Sequence, residues 1–152
     1  MKTVAELVEE QGVFQGLKPE WIELMSGCGK NIRLEAKTFL FREGQPADHF
    51  YLLRRGKVAL EIDVPGQPPA VFQTLGPGEV LGWSWLFPPY QYAYDAQVQE
   101  ELGAIAFDGK CLRGKCEANT DFGYALMKRF SKVFFERLKA TRLQVLDIYG
   151  GR

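Results

Sequence analysis

Between Pro77 and Val98 the chain reads PGEVLGWSWLFPPYQYAYDAQV, a stretch with two of the three tryptophans, three tyrosines and neither lysine nor arginine. Ring faces stack on planar groups and attract cations, so Trp83, Trp85, Phe87, Tyr90, Tyr92 and Tyr94 could line a pocket for a flat aromatic or cationic small molecule. The same rings could instead fill a cavity as core, or present a sticky surface to a protein partner. The residue types alone leave all three readings open. An apolar run of this size is seldom left bare on a monomer, and Pro88-Pro89 stiffens it in every case.

Residues that could do covalent or acid–base chemistry are sparse. His49 is the sole histidine, so a metal centre built on several histidine ligands is excluded, and a Ser or Cys nucleophile would have one conceivable base with no flanking motif. His49 is expected in an exposed turn beside Asp48. Cys28, Cys111 and Cys116 are an odd set; they could at best make an incomplete metal or cluster site and read as ordinary reduced thiols. The acidic pairs Glu9-Glu10 and Glu100-Glu101 look like solvated faces. These observations point away from an enzyme, and no cofactor is implied.

At 152 residues, 46% hydrophobic and 25% charged, there is material for one globular domain and one core. Nineteen basic residues balance nineteen acidic ones, so the chain as a whole lacks the charge footprint of a dedicated nucleic-acid binder. No apolar run is long enough to cross a membrane and no secretory leader is visible, which leads us to expect a cytoplasmic protein.

Three segments follow from the periodicity: helices over 1–29, a β-barrel over 30–107 and helices again over 108–152. Thr3 with Glu6 is a capping-box pattern for a short helix, and Pro19 opens a second that ends near Gly27. From Lys30 the period drops to two, with Ile32, Leu34, Phe39, Phe41, Val58, Leu60, Ile62 and Val64 alternating with polar neighbours. Turn signals recur at Gly44-Gln45-Pro46, Arg55-Gly56, Pro65-Gly66 and Gly76-Pro77-Gly78. Many short strands so spaced predict an antiparallel jelly-roll barrel, a double-stranded β-helix, in a mainly β fold with flanking helices. Asp108 to Glu117 reads as a short helix, and Asn119 or Thr120 can cap a long one to about Tyr149. Such a helix would span about 40 Å, longer than a small barrel needs. Its apolar positions, among them Leu126, Phe130, Val133, Phe134 and Leu138, form a broad stripe that predicts a homodimer through this helix, the alternative being a helix folded back on its own domain.

Two runs carry a family likeness. Phe41 to Val58 (FREGQPADHFYLLRRGKV) and Leu75 to Gly82 (LGPGEVLG) resemble the strand–turn–strand opening and the approach to the phosphate-binding cassette of the cyclic nucleotide-binding domain. That domain occurs in catabolite-activator-type regulators, protein-kinase regulatory subunits and gated channels. The resemblance implies a jelly-roll barrel closed by helices, with a C-terminal helix that dimerises or relays ligand binding. It also points to where this chain departs from the family. After the glycine matching Gly82, nucleotide-binding members carry a Glu for the ribose hydroxyl; Trp83 stands here. Two residues before the small residue matching Ala96 they carry an Arg for the cyclic phosphate; Tyr94 stands here. An indole donates a single bond and a phenol carries no positive charge at neutral pH, while Asp95 adds a negative one. At about 1.5 to 3 kcal/mol per lost charge-assisted bond, affinity falls by roughly two to four orders of magnitude. Backbone N–H groups near Ser84 and Trp85 could still attract an anion.

The reading is a non-catalytic regulatory or sensory domain with a degenerate cassette, formed by Gly82, Trp83, Ser84, Trp85, Tyr92, Tyr94, Asp95 and Ala96, that does not take cyclic AMP or cyclic GMP in the usual mode. An unidentified small molecule, a protein partner and a second copy are the expected partners. A ligand-free dimeric interaction scaffold is the alternative. The helix also carries Lys128, Arg129, Lys132, Arg137, Lys139 and Arg142, read as a solvated face. No recognition helix follows before Arg152, so sequence-specific DNA binding is not expected.

Overall fold

A computed structural model describes residues 1–150; the expectation for Gly151 and Arg152 lies outside the described residues. The order is α1 (Val4–Glu9), a 3-10 turn (Gly12–Phe14), α2 (Pro19–Ser26), β1 (Gly29–Leu34), β2 (Phe39–Phe41), β3 (His49–Ile62), β4 (Ala70–Leu75), β5 (Val80–Leu81), a second 3-10 turn (Trp83–Leu86), β6 (Asp95–Asp108), α3 (Gly109–Ala118) and α4 (Thr120–Gly150). Thr3 and Asn119 cap their helices as the sequence suggests, while Asp108, expected inside its helix, caps it. Thr3 accepts from the Glu6 N–H, Asp108 from Cys111 at 2.9 Å and Asn119 from Phe122 at 3.1 Å, satisfying N–H groups the helices leave orphaned.

All strand pairs are antiparallel, in the order β1-β6-β3-β4, with β2 on β6 and β5 on β3. The two 14-residue strands β3 and β6 form the spine, paired from His49↔Asp108 to Glu61↔Asp95. Their register shifts between Leu53 and Val58, around Gly56. Gly56 has φ +93°, and a Cβ there would lie 2.3 Å from the Glu101 carbonyl oxygen, so only glycine permits this bulge, which bends the ladder and curls it into a barrel.

The bend leaves both faces of the spine covered. Phe50, Leu52, Ile105 and Phe107 join a core with α1, α2, α3 and α4, while Tyr51, Leu53, Leu102, Ala104 and Ala106 line the barrel interior with Phe41, Leu60, Leu81 and Val98. Tyr51 to Leu53 and Val58 to Leu60 are therefore buried without interruption, where one-sided burial would alternate. Phe50 is the keystone of the helical core. Its ring stacks on Phe107 at 4.7 Å and on Trp85 at 4.9 Å and meets Phe130 edge-on at 5.6 Å, each pair adding about 0.5–1.5 kcal/mol beyond area burial.

The apolar stripe of α4 divides lengthwise. Leu126 and Phe130 are wholly buried in the chain's own core, which corrects the expectation that they meet a second copy: Phe14, Phe50, Trp83 and Trp85 already surround Phe130. Val133 and Phe134 are half-buried against the same core, and Leu138 is 49% exposed.

Two further expectations are corrected. Cys28 and Cys111 form a disulfide across 83 residues, leaving Cys116 as the free thiol; the bond ties the start of the barrel to the first turn of α3. His49 opens β3, half-buried, because its pairing with Asp108 extends the ladder past the anticipated turn. Among the described residues no helix is long and apolar enough to cross a membrane.

Candidate functional site

Gly82 begins the cassette. It adopts φ +94°, and a Cβ would stand 3.2 Å from the His49 carbonyl oxygen and 3.3 Å from the Phe50 Cα, so both the left-handed turn and the close pass under β3 call for glycine. The second 3-10 turn starts here and sends its two indoles to different places. Trp85 is fully buried in the helical core. Trp83 lies half-buried against α4, edge-on to Phe130 at 4.9 Å and to Phe134 at 4.4 Å. Ser84 is half-buried between them. Neither indole N–H has a hydrogen-bond partner among the described residues, a cost of about 1–3 kcal/mol each that the ring packing offsets.

The returning limb packs from the opposite side. Tyr92, 5% exposed, stacks flat on Phe41 with centroids 3.7 Å apart and donates its hydroxyl to the His49 carbonyl at 2.5 Å. Burial pushes this phenol far above its ordinary pKa, so it stays neutral. Tyr94 is half-buried between Phe72, edge-on at 5.4 Å, and Phe41 at 5.7 Å. Burial raises its pKa too, with Arg137 and the Gly82 backbone pulling the other way. Asp95 is buried but occupied: it accepts from the Glu43 N–H at 2.7 Å and faces the Arg42 guanidinium at 3.4 Å. Ala96 is buried in the barrel between Phe41 and Leu60, its partners in the ladders. Phe87 and Tyr90 stay outside, Tyr90 beneath the Arg113 guanidinium at 4.3 Å.

Sequence reasoning missed Arg137. It was grouped with a solvated face, yet its guanidinium bonds the Val80 carbonyl, lies 5.7 Å from the Trp83 ring and neighbours Tyr94. Desolvation lowers its pKa, with Glu79 and Tyr94 opposing. The available signal was its spacing: Phe130, Val133, Phe134 and Arg137 fall at i, i+3, i+4 and i+7 on one helix face. Burial and then Glu117 push the Cys116 thiol up to about 11, which favours the protonated thiol at neutral pH.

Between Gly82 and Ala96 the side chains that pack inward are mostly rings, with Asp95 the one buried carboxylate. Three guanidinium groups stand at the edge of the cassette, Arg137 on the Val80 carbonyl, Arg113 on the Trp85 carbonyl and Arg42 beside Asp95.

Comparisons with known proteins agree with this geometry. The cyclic nucleotide-binding domain model matches residues 31–119. A CRP-like cAMP-activated global transcriptional regulator of Mycobacterium tuberculosis is 24% identical over 143 residues, covering 94% of this chain and 62% of the relative; the chain thus spans less than two thirds of that protein's length. Among solved structures, a Geobacter metallireducens GS-15 protein described as cyclic nucleotide-binding superposes with a TM-score of 0.79 at 24% identity, covering 88% of this chain and 97% of the other. A cyclic nucleotide-binding domain from Methylobacillus flagellatus KT gives 0.79 at 15% identity, covering 94% and 80%. With the barrel, the glycine-capped cassette and the closing helix in place, and the family model spanning more than half its length, this chain belongs to the cyclic nucleotide-binding domain family.

Proposed function

We propose that this chain is a non-catalytic regulatory domain whose inherited nucleotide cradle is closed by its own side chains, so that cyclic AMP and cyclic GMP do not bind in the family's usual mode. The observation that carries this reading is the occupancy of the cradle. Trp85 is 0% exposed, Tyr92 is stacked on Phe41, and Tyr94 is held between Phe72 and Phe41. A nucleotide would have to displace Tyr94 and would then find no unpaired cation from residues 82–96, which contain neither Lys nor Arg.

The output surface in this reading is α4, used as a homodimer seam. Leu126, Phe130, Val133 and Phe134 anchor the helix to its own domain, leaving Phe135, Leu138, Val145 and Tyr149 on the outside, each at least 45% exposed. They follow the alternating three- and four-residue spacing of a helix pair, counting Arg142 at the intervening position. A small molecule entering beside Trp83, Ser84 and Tyr94 would press on Phe134 and Arg137 and so on the helix. The second reading, a ligand-free dimeric scaffold, is favoured by the full burial of Trp85 and Tyr92.

Thermal-shift measurement against cyclic AMP, cyclic GMP and a metabolite panel tests the proposal. Silence toward the cyclic nucleotides is expected. Stabilisation by a panel compound that disappears in Tyr94→Ala supports ligand entry at the cradle, silence across the panel supports the scaffold, and stabilisation by micromolar cyclic AMP overturns the closed cradle.

A further inference from the structure

A second cleft, separate from the cradle, opens where α4 crosses the Gly76–Val80 turn and the first 3-10 turn. It encloses about 590 Å³, within the roughly 300–1,000 Å³ usual for small-molecule sites, and none of residues 82–96 lines it. Its α4 wall comprises Arg129, Lys132, Val133, Glu136, Arg137 and Ala140, the i, i+3, i+4, i+7, i+8 and i+11 positions of a single helix face. The opposite wall includes Val13 and Val80.

The charges of this cleft are unevenly matched. Arg129, Lys132 and Arg137 form no ion pair with a carboxylate among the described residues. Arg129 donates to the Gln15 carbonyl at 2.8 Å and Arg137 to the Val80 carbonyl, so each guanidinium, with five N–H donors, keeps some free. Of the two carboxylates in the walls, Glu79 is held by the Gly76 N–H at 2.7 Å and Glu136 is exposed. The cleft thus carries a net positive charge beside an apolar floor, and two of its cations, Arg129 and Arg137, are half-buried.

We infer that this cleft binds a small amphipathic organic anion, its charged group held by Arg129, Lys132 and Arg137 and its apolar body laid against Val13, Val80 and Val133. A compact carboxylate, sulfonate or phosphate reached by guanidinium forks and an ammonium gains charge-assisted hydrogen bonds, and the apolar wall adds transfer free energy that a bare ion does not gain. Arg137 connects this site to the rest of the molecule. It also faces the Trp83 ring, so an anion that draws on its guanidinium changes the neighbour of Trp83 and the seat of α4.

Titration of the full chain with 8-anilinonaphthalene-1-sulfonate, a fluorescent aromatic anion, tests the inference. Saturable binding of one dye per chain is expected, with the uncharged N-phenyl-1-naphthylamine bound far more weakly. Lys132 is exposed, so Lys132→Glu keeps the fold and is expected to weaken the dye by at least about tenfold, roughly the loss of one charge-assisted bond. Lys128→Glu and Lys139→Glu, on α4 but outside the cleft, are expected to leave it unchanged. Displacement by decanoate assigns an aliphatic body to the ligand class, and displacement by 1-naphthoate an aromatic one. The inference is overturned if no saturable binding occurs, if the uncharged analogue binds equally, or if Lys132→Glu behaves like the two controls. Because none of these variants touches the cradle, either outcome leaves the cyclic-nucleotide reading to be decided by its own thermal shifts.

Discussion

The cradle and the distal half of α4 are both rich in large apolar side chains, and they meet opposite fates. Trp83, Trp85, Tyr92 and Tyr94 find partners inside their own chain, while Phe135, Leu138, Leu143, Val145, Leu146, Ile148 and Tyr149 find none and stand exposed. Composition does not separate the two regions; geometry does. The cradle is wrapped by β3, β6 and the first turns of α4, whereas the 31-residue helix, about 45 Å long, outruns the barrel. An apolar row left bare on such an overhang is the mark of an interface. In the proposed reading, the surface that engages a second macromolecule lies on this helix, and the cradle serves as core.

The sharpest way to break this comparison is to treat a cradle residue as core. Trp85→Ala should cost about 3–5 kcal/mol in urea unfolding, the usual cost of emptying a buried aromatic site; a loss below about 1 kcal/mol would mean that Trp85 lines open space. Next is the Cys28–Cys111 bond, which anchors the barrel beneath α3. Reduction, or Cys28→Ser, should lower stability by about 2–4 kcal/mol. On the helix the expectation inverts. Phe135→Asp with Leu138→Asp should turn a dimer into a monomer by light scattering while moving the unfolding free energy of the isolated protomer by no more than about 0.5 kcal/mol per exposed site. Equal mass before and after the change would refute the seam.

Smaller effects probe the hydroxyls. Tyr92→Phe removes the donor to the His49 carbonyl and should cost about 1–2 kcal/mol. The same residue sets a pH signature. Burial raises its folded pKa above the unfolded value, so its contribution is complete below the ordinary tyrosine pKa of about 10 and is lost as pH climbs past it. Wild-type stability should fall above about pH 10, and Tyr92→Phe should fall less steeply, as read from melting temperatures across that range.

Much of the fold was legible because it is written locally. Thr3 and Asn119 sit one residue before their helices, and Gly82 stands where the backbone turns left-handed, whereas Gly56, read as a turn, is a bulge inside β3. Features set by long-range packing were not legible. The pairing of Cys28 with Cys111 needs the barrel to bring two ends together across 83 residues. The uninterrupted burial of Tyr51 to Leu53 reflects a sheet covered on both faces, which a period-two pattern does not announce. The rings between Trp83 and Tyr94 were visible in the sequence, but which of them pack inward was not, because Phe41, Phe72, Phe130 and Phe134 arrive from three other segments, β2, β4 and α4. Arg137 escaped for the same reason: its charge suggested solvent, while its place on the Phe130–Phe134 face turned it inward.

The closed cradle is tested most directly by isothermal titration of the full chain with cyclic AMP, alongside Tyr94→Arg. The account predicts no measurable heat for the wild type at about 1 mM nucleotide, corresponding to binding weaker than about 4 kcal/mol. Micromolar binding by the wild-type chain, lost when Arg137 is replaced by Gln, would show that the helix supplies the missing phosphate grip and would contradict it.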